Sequence, residues 1–212
     1  MLCDLDGTLV DSTASVMRNW RRIAAMLGRD EDDLVGDLHG IPGNQVLRRI
    51  APDLDEERVS ELNEALVEGE IADTGDVTAT KGALLLIETV PPDRWAIVTS
   101  GTRRLAVARL RAAGLPVPPI MVTADDVHEG KPNPAPFLLA ARHLGVPAER
   151  CLAIEDAPAG ITAARAAGCA TLGVLTTFSA LEGDTVDDLS DLAVEVTVGG
   201  LTVTYPASEA AS

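Results

Sequence analysis

Short apolar runs that end in polar or acidic residues, each followed by a helical pattern, recur along this 212-residue chain and constrain its fold more than any other feature. The runs are LCD at the start, WAIVTSG (95–101), PIMVTADD (119–126), CLAIEDA (151–157), ATLGVL (170–175) and AVEVTV (193–198). Between them RRLAVARLRAAG (103–114), PAPFLLAARHLG (134–145) and AGITAARAAG (159–168) carry apolar residues at helical spacing and leave through glycine. Strands alternating with helices over short links predict an α/β fold, a Rossmann-like doubly wound parallel sheet with helices on both faces. The tail VGGLTVTY reads as a terminal hairpin that turns at Gly199-Gly200.

The alternation is interrupted once, between about 13 and 80. Val16, Trp20, Ile23, Ala24 and Leu27 mark one face of a first helix. HGIPGNQ (39–45) reads as an inter-helix turn, and DEERVSELNEALVEGEI (55–71) as another amphipathic helix. No strand is expected there. The domain reading is therefore a core of residues 1–12 and 80–212 with an inserted helical cap of residues 13–79. Sites in open α/β sheets lie beyond the carboxyl ends of the strands, so an insertion after strand one is placed to act as a lid.

Charge narrows the partners. With 33 acidic against 17 basic residues the net charge is −16, a field that repels nucleic acid and anionic membranes. It also repels a phosphorylated substrate, which then needs locally placed positive charge. No apolar run is long enough to span a bilayer and no signal peptide is read, so a cytoplasmic protein, monomer or weak dimer, is expected. Cys3, Cys151 and Cys169 lack CxxC spacing and read as small buried hydrophobes. All but two of the 17 basic residues are arginine; Lys81 and Lys131 are the exceptions. A lysine in such a chain points to a place that needs a compact charge on a flexible stem.

The strand ends carry the chemistry. Asp4-Leu5-Asp6-Gly7-Thr8 sets two carboxylates one residue apart before a glycine, which suits a strand end turning into a site and equally an acidic surface turn. A carboxylate is a competent nucleophile toward phosphorus, and a second one nearby can handle the leaving group's proton. Ser100-Gly101-Thr102 offers a hydroxyl and backbone N–H groups at a strand-to-helix turn, an anion site or a helix cap. Lys131 lies in the Gly-Pro loop EGKPNPAPF, and Glu155-Asp156 follow a buried run, where they can also cap the next helix.

Taken in order, DLDGTLVDS, VTSGT, GKPNP and IEDAPAG resemble the four motifs of the haloacid dehalogenase superfamily, and the helical insertion resembles its subgroup with a C1-type cap. The resemblance implies a phosphohydrolase. Asp4 is then the nucleophile and Asp6 the acid and base, with Thr8 orienting Asp6. Ser100, Gly101 and Thr102 would hold the phosphate, and Lys131 would offset its charge. It further implies Mg²⁺ on Asp4, Asp156 and the main-chain carbonyl of Asp6, with Glu155 in contact with the metal or its ligands. Physics agrees: two like unit charges ~4 Å apart cost roughly 4 kcal/mol at an effective dielectric of 20, and a hard divalent cation relieves this. Two departures stand out. Only three residues precede Asp4, which implies an unusually short first strand or a truncated start, and Thr80-Lys81-Gly82 replaces the family's Pro-Gly, with Lys81 expected on the surface.

The cap stretch HGIPGNQVLRRIAPDL (39–54) resembles that of sugar- and polyol-phosphate phosphatases, which makes a small phosphorylated metabolite the expected partner. His39 and Asn44 are the candidates for substrate hydroxyls, with a turn or capping role the alternative for His39. Arg48 and Arg49 are expected on a solvated face, and His128 and His143 carry no assigned role. The competing readings are a sugar phosphomutase with the same core motifs and, from another class, a phospho-accepting or silent binding protein on the same sheet.

Overall fold

The computed structural model describes residues 1–29 and 40–206. Six strands form one parallel sheet. They are β1 (Leu2–Cys3), β4 (Ala96–Val98), β5 (Met121–Val122), β6 (Leu152–Glu155), β7 (Ala170–Val174) and β8 (Asp184–Val186), in the order β5-β4-β1-β6-β7-β8. The chain runs outward from β1 through β4 to β5, then returns to the other side of β1 with β6. β1 thus lies at the topological switch point, where open α/β sheets place their ligands. This strand has two residues, but it is paired on both flanks: Leu2 and Cys3 stand in register with Ala96 and Ile97 on one side and Ala153 and Ile154 on the other. The Asp4 amide extends the ladder by donating to the Ile154 carbonyl at 2.9 Å.

Because side chains alternate across a strand, the sheet splits its apolar residues between two cores. Leu2, Ala96, Val98 and Ala153 pack with Phe137, Ala140 and Ala164 on one face. Cys3, Ile97 and Ile154 pack with Leu86, Leu110 and Leu172 on the other. The helices are α4 (Ala83–Thr89), α5 (Arg103–Ala112), α6 (Ala135–Leu144) and α7 (Pro158–Ala166). The helices α5, α6 and α7 leave through Gly114, Gly145 and Gly168, all at positive φ, as the sequence predicts.

Among the described residues the interruption holds three helices: α1 (Thr13–Met26), α2 (Gly43–Ile50) and α3 (Glu56–Ala72). Val16, Trp20, Ile23 and Ala24 meet Val46, Leu47, Leu62 and Leu66 in a core of their own. The expected turn at 39–45 is shorter than the sequence suggests, since Pro42 already caps α2 and Asn44 and Gln45 are helical. Asp55 caps α3 by accepting the Arg58 amide.

Three expectations need correction. The helical stretch is not strand-free: β2 (Val10–Asp11) pairs antiparallel with β3 (Thr78–Ala79), clasping the two ends of the insertion. Two residues are too few to show a period of two. Residues 193–198 do not join the parallel sheet; β9 (Ala193–Thr197) pairs with β10 (Gly200–Thr204) in the expected terminal hairpin. The sixth sheet strand is β8, whose acidic flanks and single buried residue, Val186, give no apolar run to read. The three cysteines are buried and free, and burial pushes the Cys3 thiol up to about 12. No described helix is long and apolar enough to cross a membrane.

Candidate active site

At the carboxyl end of β1 the chain turns inside a volume that only glycine permits. Gly7 has φ +86, and a Cβ there would lie 1.9 Å from Asp156 Oδ2. The turn is closed by the Gly7 amide donating to the Val10 carbonyl at 2.8 Å and by the Thr176 hydroxyl donating to the Gly7 carbonyl. Asp4 is buried and Asp6 partly so.

The loop after β5 carries Lys131 into the same place. This is the bulkiest fully buried side chain in the described residues, 1% exposed. Its Nζ donates to Asp4 Oδ1 at 2.5 Å and to the Val98 carbonyl at 2.8 Å, pairs with Glu155 Oε1, and sits 5.4 Å from the Phe137 ring centre. β6 delivers Glu155 and Asp156. Asp4, Glu155 and Asp156 each offer an oxygen, all within 4.8 Å of one another.

The electrostatics follow from burial. Desolvation raises the Asp4 carboxyl to about 8, with Glu155 and Asp6 adding to the rise and Lys131 opposing it. Glu155 and Asp156 are raised to about 7, again by burial first. For Lys131 burial pulls down, but Asp4 and Glu155 outweigh it and hold the ammonium above the ordinary lysine value. Three buried acids with one lysine leave an excess of negative charge. Glu155 Oε2 and Asp156 Oδ2 are buried without a hydrogen-bond partner. Buried orphan acceptors are costly and rare, and these belong to a compact set of hard oxygens. The set fits a hard divalent cation.

The remaining residues surround a cavity of about 330 Å³ between the sheet and the helical insertion, lined by Asp4, Asp6, Ser100, Gly101, Thr102, Lys131 and Asn44 among others. Ser100 Oγ donates to the Gly40 carbonyl at 3.0 Å, a link from core to insertion. The Gly101 amide donates to Thr99 Oγ1 at 3.0 Å, and Thr102 caps α5 by accepting the Leu105 amide. Thr8 does not orient Asp6. Its hydroxyl faces Asp156 Oδ1 at 3.4 Å, while Ser12 Oγ donates to Asp6 Oδ1 at 2.8 Å. The tight turn aims Thr8 away from its near neighbour. His39 lies outside the described residues; Asn44 is exposed on α2 at the cavity wall. Lys81 is exposed and pairs with Asp188 at 2.8 Å.

Two residues that sequence reasoning passed over complete the wall. Arg109, on α5, places Nη1 2.8 Å from Asp6 Oδ2, and Nη2 3.1 Å from Glu70 Oε2 on α3. Burial, with Asp6 adding and Arg109 opposing, raises Glu70 to about 7. The signal was present: Arg109 falls on the apolar stripe of α5 with Leu105, Ala106 and Leu110, and Glu70 on that of α3 with Leu62 and Leu66.

A carboxylate-rich site at the switch point of a parallel sheet, walled by a helical insertion, defines an α/β enzyme whose chemistry sits on strand ends. The chain belongs to the haloacid dehalogenase-like hydrolase family, whose model matches residues 1–168. It is similar to hexitol phosphatase A of Escherichia coli, 39% identical over 82% of this chain and 81% of that protein. Glycerol-1-phosphate phosphohydrolase 1 of Saccharomyces cerevisiae is 34% identical over 84% of this chain and 74% of the relative. Among solved structures, a hydrolase from Pseudomonas syringae superposes with TM-score 0.74 at 31% identity, covering 82% of this chain and 83% of the other.

Proposed function

We propose that this enzyme is a Mg²⁺-dependent phosphomonoesterase of small sugar or polyol phosphates, acting through an aspartyl-phosphate on Asp4. The observation that carries the reading is the buried cluster of Asp4, Lys131, Glu155 and Asp156, with Asp6 on the same cavity wall. The similarity to hexitol and glycerol-1-phosphate phosphatases supports the substrate class.

Asp4, Asp156 and Glu155 would hold the cation, together with the main-chain carbonyl of Asp6. When bound, Mg²⁺ supplies charge neutralisation between the acids and the phosphoryl oxygens. Lys131 supplies a further fixed positive charge beside the nucleophile, and its bond to the Val98 carbonyl aims it there. A carboxylate oxygen of Asp4 forms a bond to phosphorus while the bond to the leaving oxygen breaks. The electron pair departs with that oxygen, which takes a proton from Asp6. In the second half Asp6 takes a proton from water, the water oxygen bonds to phosphorus, and the Asp4–phosphorus bond returns its pair to Asp4. Ser100, with the amides of the Gly101-Thr102 turn, holds the transferring oxygens in line. Residues 13–79 act as a lid over a core of residues 1–12 and 80–212, in a cytoplasmic monomer or weak dimer.

The test is phosphate release from a panel of hexitol, glycerol and hexose phosphates with and without Mg²⁺, for the native chain and Asp4→Asn. Release is expected only with both metal and the Asp4 carboxylate. Release that persists without either refutes the mechanism, and isomerised sugar phosphate with little free phosphate assigns a mutase instead.

A further inference from the structure

Helices α3 and α5 meet along a polar seam that the phosphatase reading leaves unused. At the surface Arg104 pairs with Glu64 at 2.8 Å and with Glu68 at 2.5 Å, contacts of the exposed kind that contribute little. Further along α5 the seam turns inward. Arg109 is 5% exposed and Glu70 7% exposed in their side chains. A guanidinium on an apolar stripe is expensive to desolvate, and a hydrophobic residue there commonly holds two helices together as well or better. The arginine is therefore in place for what it touches. It touches Asp6.

Asp6 has two carboxylate oxygens, and each meets a polar group from a different element: Ser12 Oγ donates to Oδ1 at 2.8 Å, and Arg109 Nη1 lies in ion-pair contact 2.8 Å from Oδ2. One hydrogen bond and one buried ion pair, on opposite oxygens, restrict how the carboxylate can turn. The other edge of the guanidinium faces Glu70. Nη2 lies 3.1 Å from Glu70 Oε2 without hydrogen-bond alignment, and Nε and Nη2 are both buried with no hydrogen-bond partner. Nε and Nη2 are the pair of donors that a carboxylate takes side-on.

We propose that Arg109 is a positioning residue for Asp6, and that Glu70 makes this positioning depend on how the helical insertion is seated on the core. The proposal rests on the phosphatase reading, in which the Asp6 carboxyl must face the leaving oxygen. Arg109 then sets the angle from which the proton is delivered, and the insertion's own glutamate holds the guanidinium in place.

The test separates leaving groups. Arg109→Gln, Arg109→Lys and Glu70→Gln are compared with the native chain in first-turnover release of p-nitrophenolate from p-nitrophenyl phosphate and of glycerol from glycerol 1-phosphate. Nitrophenolate leaves without a proton; the glycerol alkoxide needs one. Arg109→Gln should slow the glycerol reaction by roughly 10- to 100-fold and the nitrophenyl reaction by less than about threefold, since well-placed acid catalysis is worth 10²–10⁴. Arg109→Lys should recover part of the glycerol rate, and Glu70→Gln should show the same bias at less than about tenfold. A purely structural role would slow both substrates alike, and that outcome overturns the proposal, as does an unchanged glycerol rate. If Arg109→Gln does not fold, Glu70→Gln decides by the same bias. A native chain inactive on both substrates overturns the phosphatase reading, and the positioning role with it.

Discussion

Gly160→Ala is the most informative single substitution, because a methyl group there has nowhere to go. Gly160 lies on the inner side of α7, and a Cβ would meet Glu155 Cδ and Oε1 at 1.9 Å and Oε2 at 2.2 Å. An ordinary contact starts at 3.4 Å, so the Glu155 carboxylate must move by well over an ångström. It is 0% exposed and held by Lys131, so the move breaks a buried ion pair. Disrupting such a pair costs about 3–5 kcal/mol, and alanine returns about 1 kcal/mol of helix propensity. The net expectation is a loss of about 2–4 kcal/mol in urea unfolding, with weakened divalent-cation binding. The double-mutant cycle isolates the cause. With Glu155→Ala in place the obstruction is gone, and adding Gly160→Ala should stabilise the chain by up to about 1 kcal/mol. Opposite signs in the two backgrounds are the signature. Additive effects would refute the argument that Gly160 exists to house the carboxylate.

Lys131→Met keeps the volume but leaves Asp4 and Glu155 uncompensated, so it should destabilise by about 3–5 kcal/mol in denaturant titration and abolish phosphate release. Glu70 has a folded-state pKa of about 7 against an ordinary 4.5. Between those values the folded chain binds more protons than the unfolded one, so stability falls as pH rises through the window, by up to roughly 3 kcal/mol. Urea titrations should show that fall for the native chain relative to Glu70→Gln and no difference in slope outside the window; parallel slopes throughout would contradict it. Mg²⁺ at about a hundred times its Kd should raise stability by about 2.7 kcal/mol. Asp156→Asn should remove most of that gain in thermal melts.

The sheet and its chemistry were legible because each strand end changes abruptly from buried apolar residues to acids, hydroxyls or a lysine. CLAIED and WAIVTS mark their strands and their site residues in the same few positions. The clasp of β2 and β3 and the edge strand β8 were not legible, since elements of two or three residues show no periodicity. Hydrogen-bond direction was not legible either: that Ser12 rather than Thr8 holds Asp6 follows from how tightly the Gly7 turn winds. Arg109 and Glu70 are different. Each breaks the apolar stripe of its own helix, and their opposite signs suited them to meet, but the pairing of α3 with α5 exists only in three dimensions.

If Ser100 receives a phosphate as proposed, its bond to Gly40 sets the terms. A serine hydroxyl has one proton, and here the helical insertion's main chain already claims it. Gly40 reaches that position with φ +75, its missing Cβ 2.8 Å from that of Ala157, so any other residue would hold the loop away. On that reading the insertion would compete with the substrate for the same donor. Affinity measured from outside is lowered by the fraction of molecules in which the competitor is seated. Under the proposed function, arrival of a phosphate at Ser100 and release of this tether would be one event.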